Sequence, residues 1–113
     1  MITTHKIFFN NSNNMRDLSD ESIDLVVTSP PYPMIEMWDQ IFASQNEKID
    51  RALKQKDGPT AFEFMHQELD KVWDELYRVL KAGGIACINI GDATRTINSH
   101  FALYTNHSII QIY

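Results

Sequence analysis

The stretch Ile23-Asp24-Leu25-Val26-Val27-Thr28-Ser29-Pro30-Pro31-Tyr32 decides how this chain is read. Apart from Asp24, its first six residues are aliphatic or β-branched, and they run straight into two prolines. A run of that kind reads as a buried strand ending at the rim of a sheet. Proline fixes φ near roughly −65° and carries no N–H, so pairing cannot continue past Ser29. In open α/β folds, ligands bind outside the carboxyl ends of the strands. The corner therefore sets a hydroxyl, a stiff backbone and an aromatic ring where chemistry usually sits.

Working outward, residues 60–80 show the strongest helical pattern. Phe62, Met65, Leu69, Val72, Leu76, Val79 and Leu80 recur at i, i+3, i+4, i+7 spacing, with Trp73 and Tyr77 beside them. Thr60 with Glu63 reads as a capping box. Gly83-Gly84 reads as the helix stop, with Arg78 and Lys81 as cations at the negative end of the helix dipole. The run Gly84-Ile85-Ala86-Cys87-Ile88-Asn89-Ile90 reads as a second buried strand, over residues 85–90, closed by the Gly91-Asp92 corner. Strand, long helix and strand make a βαβ unit, which places the two strands side by side and parallel. The sequence thus predicts an α/β fold.

The remaining segments are read more simply. Lys6-Ile7-Phe8-Phe9 is a short β-type run, and the cluster from Asn10 to Asn14 favours turns and caps. Residues 15–18 suit one helical turn. Residues 40–58 are polar with a thin apolar stripe, as in a surface helix or helical hairpin ended by Asp57-Gly58-Pro59. Lys48, Arg51, Lys54 and Lys56 form its basic face, read as solvated. Glu36 and Asp39 are spaced to share a helix face, again read as solvated. The segment from Pro33 to Trp38 suits a pocket lining or a core.

Composition bounds the rest. At 113 residues, 43% of them hydrophobic and 22% charged, the chain suffices for one small domain. A net charge of −5 argues against an autonomous DNA-binding protein, which usually presents a basic face. The single cysteine, Cys87, excludes an internal disulfide and any cysteine metal cluster, and it reads as a small core residue. No apolar run approaches the roughly 20 residues of a membrane span. With no signal-peptide pattern at Met1, a reducing cytoplasm is the expected compartment.

The stretch from Asp24 to Tyr32 resembles the catalytic motif of the amino-group DNA methyltransferases. These enzymes move a methyl group from S-adenosylmethionine to an exocyclic nitrogen of cytosine or adenine. Ser-Pro-Pro-Tyr is similar to the cytosine-N4 branch, while the adenine-N6 branch more often has Asp or Asn in place of Ser29. Leu76-Tyr77-Arg78-Val79-Leu80-Lys81-Ala82-Gly83-Gly84 is similar to the helix–turn–strand that follows the catalytic strand in such methyltransferases. The resemblance implies a Rossmann-like fold and Ser29, Pro30, Pro31 and Tyr32 as the catalytic set. It also implies Asn11, Thr28 and Ser29 near the cofactor and double-stranded DNA with a flipped base as substrate. Asn11 stands where the family often has an acidic residue, and its simpler reading is a turn residue.

The family's glycine-rich turn, Phe-x-Gly-x-Gly, has no counterpart among the glycines at 58, 83, 84 and 91. A target-recognition region is also missing. The expectation is therefore the N-terminal, catalytic-motif part of a methyltransferase with permuted motif order. It would work with a complementary chain or as a homo-oligomer, and the apolar tail Ser108-Ile109-Ile110-Gln111-Ile112-Tyr113 would favour self-association. Three other readings stay open. One is a catalytically incomplete fragment. Another is a methyltransferase for protein glutamine or RNA, which would more often show Asn-Pro-Pro-Tyr. The blandest is a strand-ending turn with a packed tyrosine.

Overall fold

A computed structural model describes residues 1–106. The apolar tail at 108–113 lies outside the described residues. Strand β1, Ile23–Thr28, falls where the sequence puts it. A single 3-10 turn, Glu36–Trp38, leads into helices α1, Asp39–Gln45, and α2, Glu47–Lys54. Helix α3, Gly58–Val79, is followed at once by strand β2, Leu80–Ile88. The chain then forms a hairpin of β3, Ala93–Ile97, and β4, His100–Tyr104.

Strands β1 and β2 pair in parallel, with Leu25 beside Ile85, Val26 beside Ala86 and Val27 beside Cys87. The βαβ reading therefore holds, and the architecture is mixed α/β. The second strand begins earlier than residue 85, because Leu80 already pairs with Ile23 before the register shifts. That shift explains the two glycines, which do not stop the helix. The helix ends at Val79, and the chain bulges between Leu80 and Ile85. Gly83 takes φ +80, which a side chain disfavours. A Cβ on Gly84 would stand 2.9 Å from the Lys81 carbonyl oxygen.

Helix α3 starts two residues earlier than the pattern suggests. Its cap is Asp57, whose carboxylate accepts from the Thr60 N–H at 3.2 Å, and Pro59 occupies the first turn. The Thr60–Glu63 box is not the cap. Asp57 also closes α2: its N–H donates to the Ala52 carbonyl and the Lys56 N–H to that of Leu53, with Lys56 at φ 57. This is a Schellman-type stop with lysine in the left-handed position that glycine usually fills. One aspartate thus ends one helix and begins the next.

The core lies between α3 and the shorter helices. Ala61, Phe62, Met65, Leu69, Trp73, Leu76 and Val79 of α3 are buried, together with Phe42 of α1 and Ile49 and Ala52 of α2. Trp73, not Val72, completes the stripe, and Tyr77 is exposed. Each large side chain so buried contributes about 1.5–3 kcal/mol. The basic face of α2 is solvated as expected, with Arg51 and Lys54 paired along the helix to Glu47 and Asp50. Cys87 departs from expectation and is exposed. Alternation puts it on the same sheet face as Leu25, Val27 and Ile85, and α3 covers only the opposite face.

Lys6-Ile7-Phe8-Phe9 forms no strand among the described residues. A strand needs a partner for its backbone groups, and here β1 pairs with β2 alone while Ile7 and Phe9 stay exposed. Residues 15–18 form a turn rather than a helical turn. It is pinned by Arg78, whose guanidinium donates to the carbonyls of Met15 and Leu18 and to Asp20 and Glu75, all between 2.8 and 3.0 Å. Glu75 also accepts from the Met15 N–H at 2.6 Å. Arg78 thus does more than face a helix dipole: it ties the N-terminal segment to α3.

Donation from Arg78, then from the Met15 N–H, holds the Glu75 carboxyl below its ordinary range. The carboxylate therefore stays charged in the fold to a lower pH than in the unfolded chain. The stability it supplies is present above the unfolded value and is lost as pH falls through the folded one. Glu75→Gln should lower the melting temperature at neutral pH and flatten its decline as pH falls through and below the ordinary carboxylate range. Thermal unfolding followed by circular dichroism checks this, and parallel acid limbs for variant and wild type would refute it.

Candidate active site

The two parallel strands end side by side. The Asn89 N–H donates to the Thr28 carbonyl at 2.9 Å, carrying the ladder one residue past β1. Ser29-Pro30-Pro31-Tyr32 leaves from one strand end and Ile90-Gly91-Asp92 from the other. Ser29 is exposed, and the two prolines and Tyr32 are half-buried. Among the described residues, neither the Ser29 hydroxyl nor the Pro30 carbonyl is engaged in a hydrogen bond. Two acceptors are thus left open on a backbone that the prolines stiffen.

The corner is fixed from behind. The Tyr32 carbonyl accepts from the Ile35 N–H at 3.3 Å, closing a turn with Pro33 second and Met34 third. Met34 sits at φ 68, the left-handed position of a type II turn where glycine is usual. The conformation costs a methionine about 1–3 kcal/mol. Packing offsets that cost: the Met34 side chain is 1% exposed, and its N–H points at the sulfur of Met65 at 3.3 Å. The segment from Pro33 to Trp38, read from sequence as pocket or core, supplies core at Met34. Through Met65 the corner rests directly on α3.

The hairpin closes over the other side. It turns at Asn98 and Ser99, with φ 54 and 63, the two positive values of a type I′ turn. Arg95 of β3 donates to both carboxylate oxygens of Asp39, at 2.8 and 2.7 Å. Asp39 is therefore not the solvated residue its spacing with Glu36 suggests. It anchors the hairpin to α1. Hydrogen bonding to Asp39 raises the Arg95 pKa, outweighing partial burial, so the guanidinium stays charged. Tyr104 of β4 packs its hydroxyl over Gly58 and its ring 5.3 Å from that of Phe62.

The structure brings Thr28, Ser29, Pro30, Pro31 and Tyr32 into this one corner. The Thr28 carbonyl is already taken by Asn89. Asn11 is not brought to it: its side chain accepts from the Asn13 N–H at 3.0 Å in a local Asx turn. Asn11 lines a hollow of about 190 Å³ with Phe8, Met15 and Leu18, none of it contributed by the corner. A roomier hollow, about 620 Å³, runs beside β2 with Leu76, Tyr77, Lys81 and Ile88 in its walls, and none of residues 28–32 lines it. Among the described residues, no cluster of three or more His, Cys, Asp or Glu is placed to hold a metal. None of their helices is long and apolar enough to cross a membrane.

Sequence reasoning missed Arg95, Asn106 and the hairpin that carries them inward. The available signal was Asn98-Ser99 between the alternating runs Ala93-Thr94-Arg95-Thr96-Ile97 and His100-Phe101-Ala102-Leu103-Tyr104.

The DNA methylase family model matches residues 23–112. Type II methyltransferase M.MthZI of Methanothermobacter thermautotrophicus is 55% identical over 108 residues, covering 95% of this chain and 30% of that protein. Type II methyltransferase M.MjaI of Methanocaldococcus jannaschii is 52% identical, covering 96% of this chain and 39% of that protein. Type II methyltransferase M.SfiI of Streptomyces fimbriatus is 38% identical over 76 residues. The chain thus spans 30% and 39% of the length of the first two relatives. No solved structure matches.

The Asp39–Arg95 fork should be energetically coupled. In a double-mutant cycle of Asp39→Asn and Arg95→Met, urea unfolding should give a coupling energy of about 1–2 kcal/mol. Additive single effects would mean that the fork does not hold the hairpin.

Proposed function

This chain belongs to the DNA methylase family, and from that premise we propose that it carries the acceptor corner of a Rossmann-like, S-adenosylmethionine-dependent DNA methyltransferase of a restriction-modification system. The acceptor is cytosine N4, on the lean given by Ser29. The observation that carries the reading is the open pair of acceptors, Ser29 Oγ and the Pro30 carbonyl, at the carboxyl end of a parallel strand beside Tyr32.

The chemistry asks for such a pair. An exocyclic amino group is a poor nucleophile because its lone pair is delocalised into the ring. Two acceptors that take its two N–H bonds localise the lone pair away from the ring. Ser29 Oγ takes one and the Pro30 carbonyl the other, with Pro31 keeping that carbonyl stiff and free of local donors. Tyr32 offers a stacking face to a base withdrawn from the duplex, worth about 1–3 kcal/mol. The rate gain is positional, with no covalent intermediate on this chain. The spent proton leaves to solvent.

S-adenosylmethionine supplies the methyl group when bound. The residues described do not make a cradle for it: Asn11 is committed to its own turn, the Thr28 carbonyl to Asn89, and no Gly-x-Gly is present. Cofactor binding is assigned to a complementary region carrying the glycine-rich turn. The bare apolar face of Leu25, Val27, Ile85 and Cys87 supports that second element of the reading, since a strand apolar on both faces is normally covered on both. Residues 1–113 are then the catalytic-motif part of the domain. Alone they should bind S-adenosylmethionine weakly or not at all and leave DNA unmethylated.

In the completed enzyme, Ser29→Ala should slow single-turnover methyl transfer by about 2–4 kcal/mol in barrier while cofactor affinity stays unchanged. Tyr32→Ala should instead weaken binding of DNA. Isothermal titration and single-turnover assays at saturating DNA separate the two. Wild-type rates in Ser29→Ala would remove Ser29 from the mechanism.

A further inference from the structure

We propose that Gly91, held by Asn106, is a positioning residue that sets where the Tyr32 ring stands and, through the ring, how the target base is held. The inference rests on the function proposed above and adds two residues to it, neither of them within the Ser-Pro-Pro-Tyr motif.

Gly91 follows β2 as Tyr32 follows β1. A Cβ built on Gly91 would stand 3.1 Å from Tyr32 Cε2 and 3.5 Å from Cδ2. The ring edge thus occupies the space that a side chain would need. Among the described residues only Gly83 is a glycine with positive φ, so Gly91 is not there for a backbone shape. Its use is room, and the atom it makes room for belongs to the ring proposed to stack on the base.

The corner cannot retreat from the ring. Asn106, two residues past β4, donates its side-chain amide to the Gly91 carbonyl at 2.6 Å and to the Asp92 carboxylate at 3.1 Å. Its backbone N–H donates to the same carboxylate oxygen at 2.8 Å. On the other side, the Tyr32 backbone is held by the turn to Ile35 and by prolines before and after it. With both backbones pinned, the soft coordinate between them is the rotation of the tyrosine ring. A methyl group on Gly91 would displace that ring by a few tenths of an ångström, and stacking on a flat base is sensitive to that displacement.

The test has two parts. On residues 1–113, the Gly91 Hα resonances should be shifted by the ring current of Tyr32 and should return toward random-coil positions in Tyr32→Ala. Resonances unaffected by Tyr32→Ala would overturn the proposal without any ligand present. In the completed enzyme, Gly91→Ala should raise the DNA KM about tenfold, within the range that stacking on an aromatic supplies, with S-adenosylmethionine Kd unchanged. Asn106→Ala should move the same parameter in the same direction. In a Tyr32→Ala background, Gly91→Ala should change the DNA KM by less than about twofold, because the group it acts through is gone. A penalty of equal size in both backgrounds would mark Gly91 as merely structural and overturn the proposal while leaving DNA methylation intact. A completed wild-type enzyme that methylates no DNA would instead sink the proposed function, and this inference with it.

Discussion

Two strands that run side by side in the same direction cannot be joined by a turn, and that constraint orders the rest of this molecule. The chain must travel back the full length of β1 before β2 can begin. Helix α3 makes that return, at about 1.5 Å per residue over its 22 residues. Once it lies against one face of the pair, its apolar stripe fixes which strand residues turn inward: Val26 and Ile88 pack against the core, as does Ile90 just past β2. Helices α1 and α2 fill the remaining length of the crossover and bury Phe42 and Ile49 against the same stripe. The parallel pairing also brings both carboxyl ends to one rim. Ser29 and Gly91, 62 positions apart by their numbers, reach the same place for this reason alone.

At that rim, the stiffness of the corner comes from residues of quite different kinds. The prolines remove donors and freedom. Met34 is held in a left-handed conformation by being buried, which ties the turn after Tyr32 to the middle of α3. The Asp39–Arg95 fork and Asn106 bring the hairpin against the opposite side. A turn with several unrelated anchors has few ways to relax. On the function proposed above, a pair of acceptors that meets two N–H bonds at once needs that rigidity, because each degree of freedom left in the corner would have to be frozen in the transition state.

Much of this was legible in the sequence, and the limits have physical causes. The bounds of β1 and the identity of α3 follow from local patterns, and the parallel pairing follows from their order. Caps and stops are less legible because they turn on single side chains. Asp57 and Thr60 are equally good caps on paper, and only the stop of α2 at Lys56 decides that Asp57 does the work. Gly83-Gly84 looks like a helix stop because a glycine pair serves a bulge equally well. The Asp39–Arg95 fork joins residues 56 positions apart, beyond the reach of any local pattern. The helix dipole accounts for a cation at position 78, but the network to Met15, Leu18 and Asp20 that holds Arg78 there is not local.

Cys87 shows how a correct local reading can lead to a wrong environment. The run around it is apolar at every step, which is the signature of a strand covered on both faces, and its strand forms as that signature demands. Among the described residues only the face toward α3 is covered, so Leu25 at 56% and Val27 at 74% exposure stand in water beside it. A two-stranded sheet gains nothing from apolar residues on a solvated face, since polar side chains would serve there without the exposed surface. The same holds for Ile7 and Phe9, which have β-type character and, among the described residues, no strand to pair with. Both sets of residues are suited to a wider, two-faced sheet. On the function proposed above, a complementary region that covers this face would complete the packing that β1 and β2 begin.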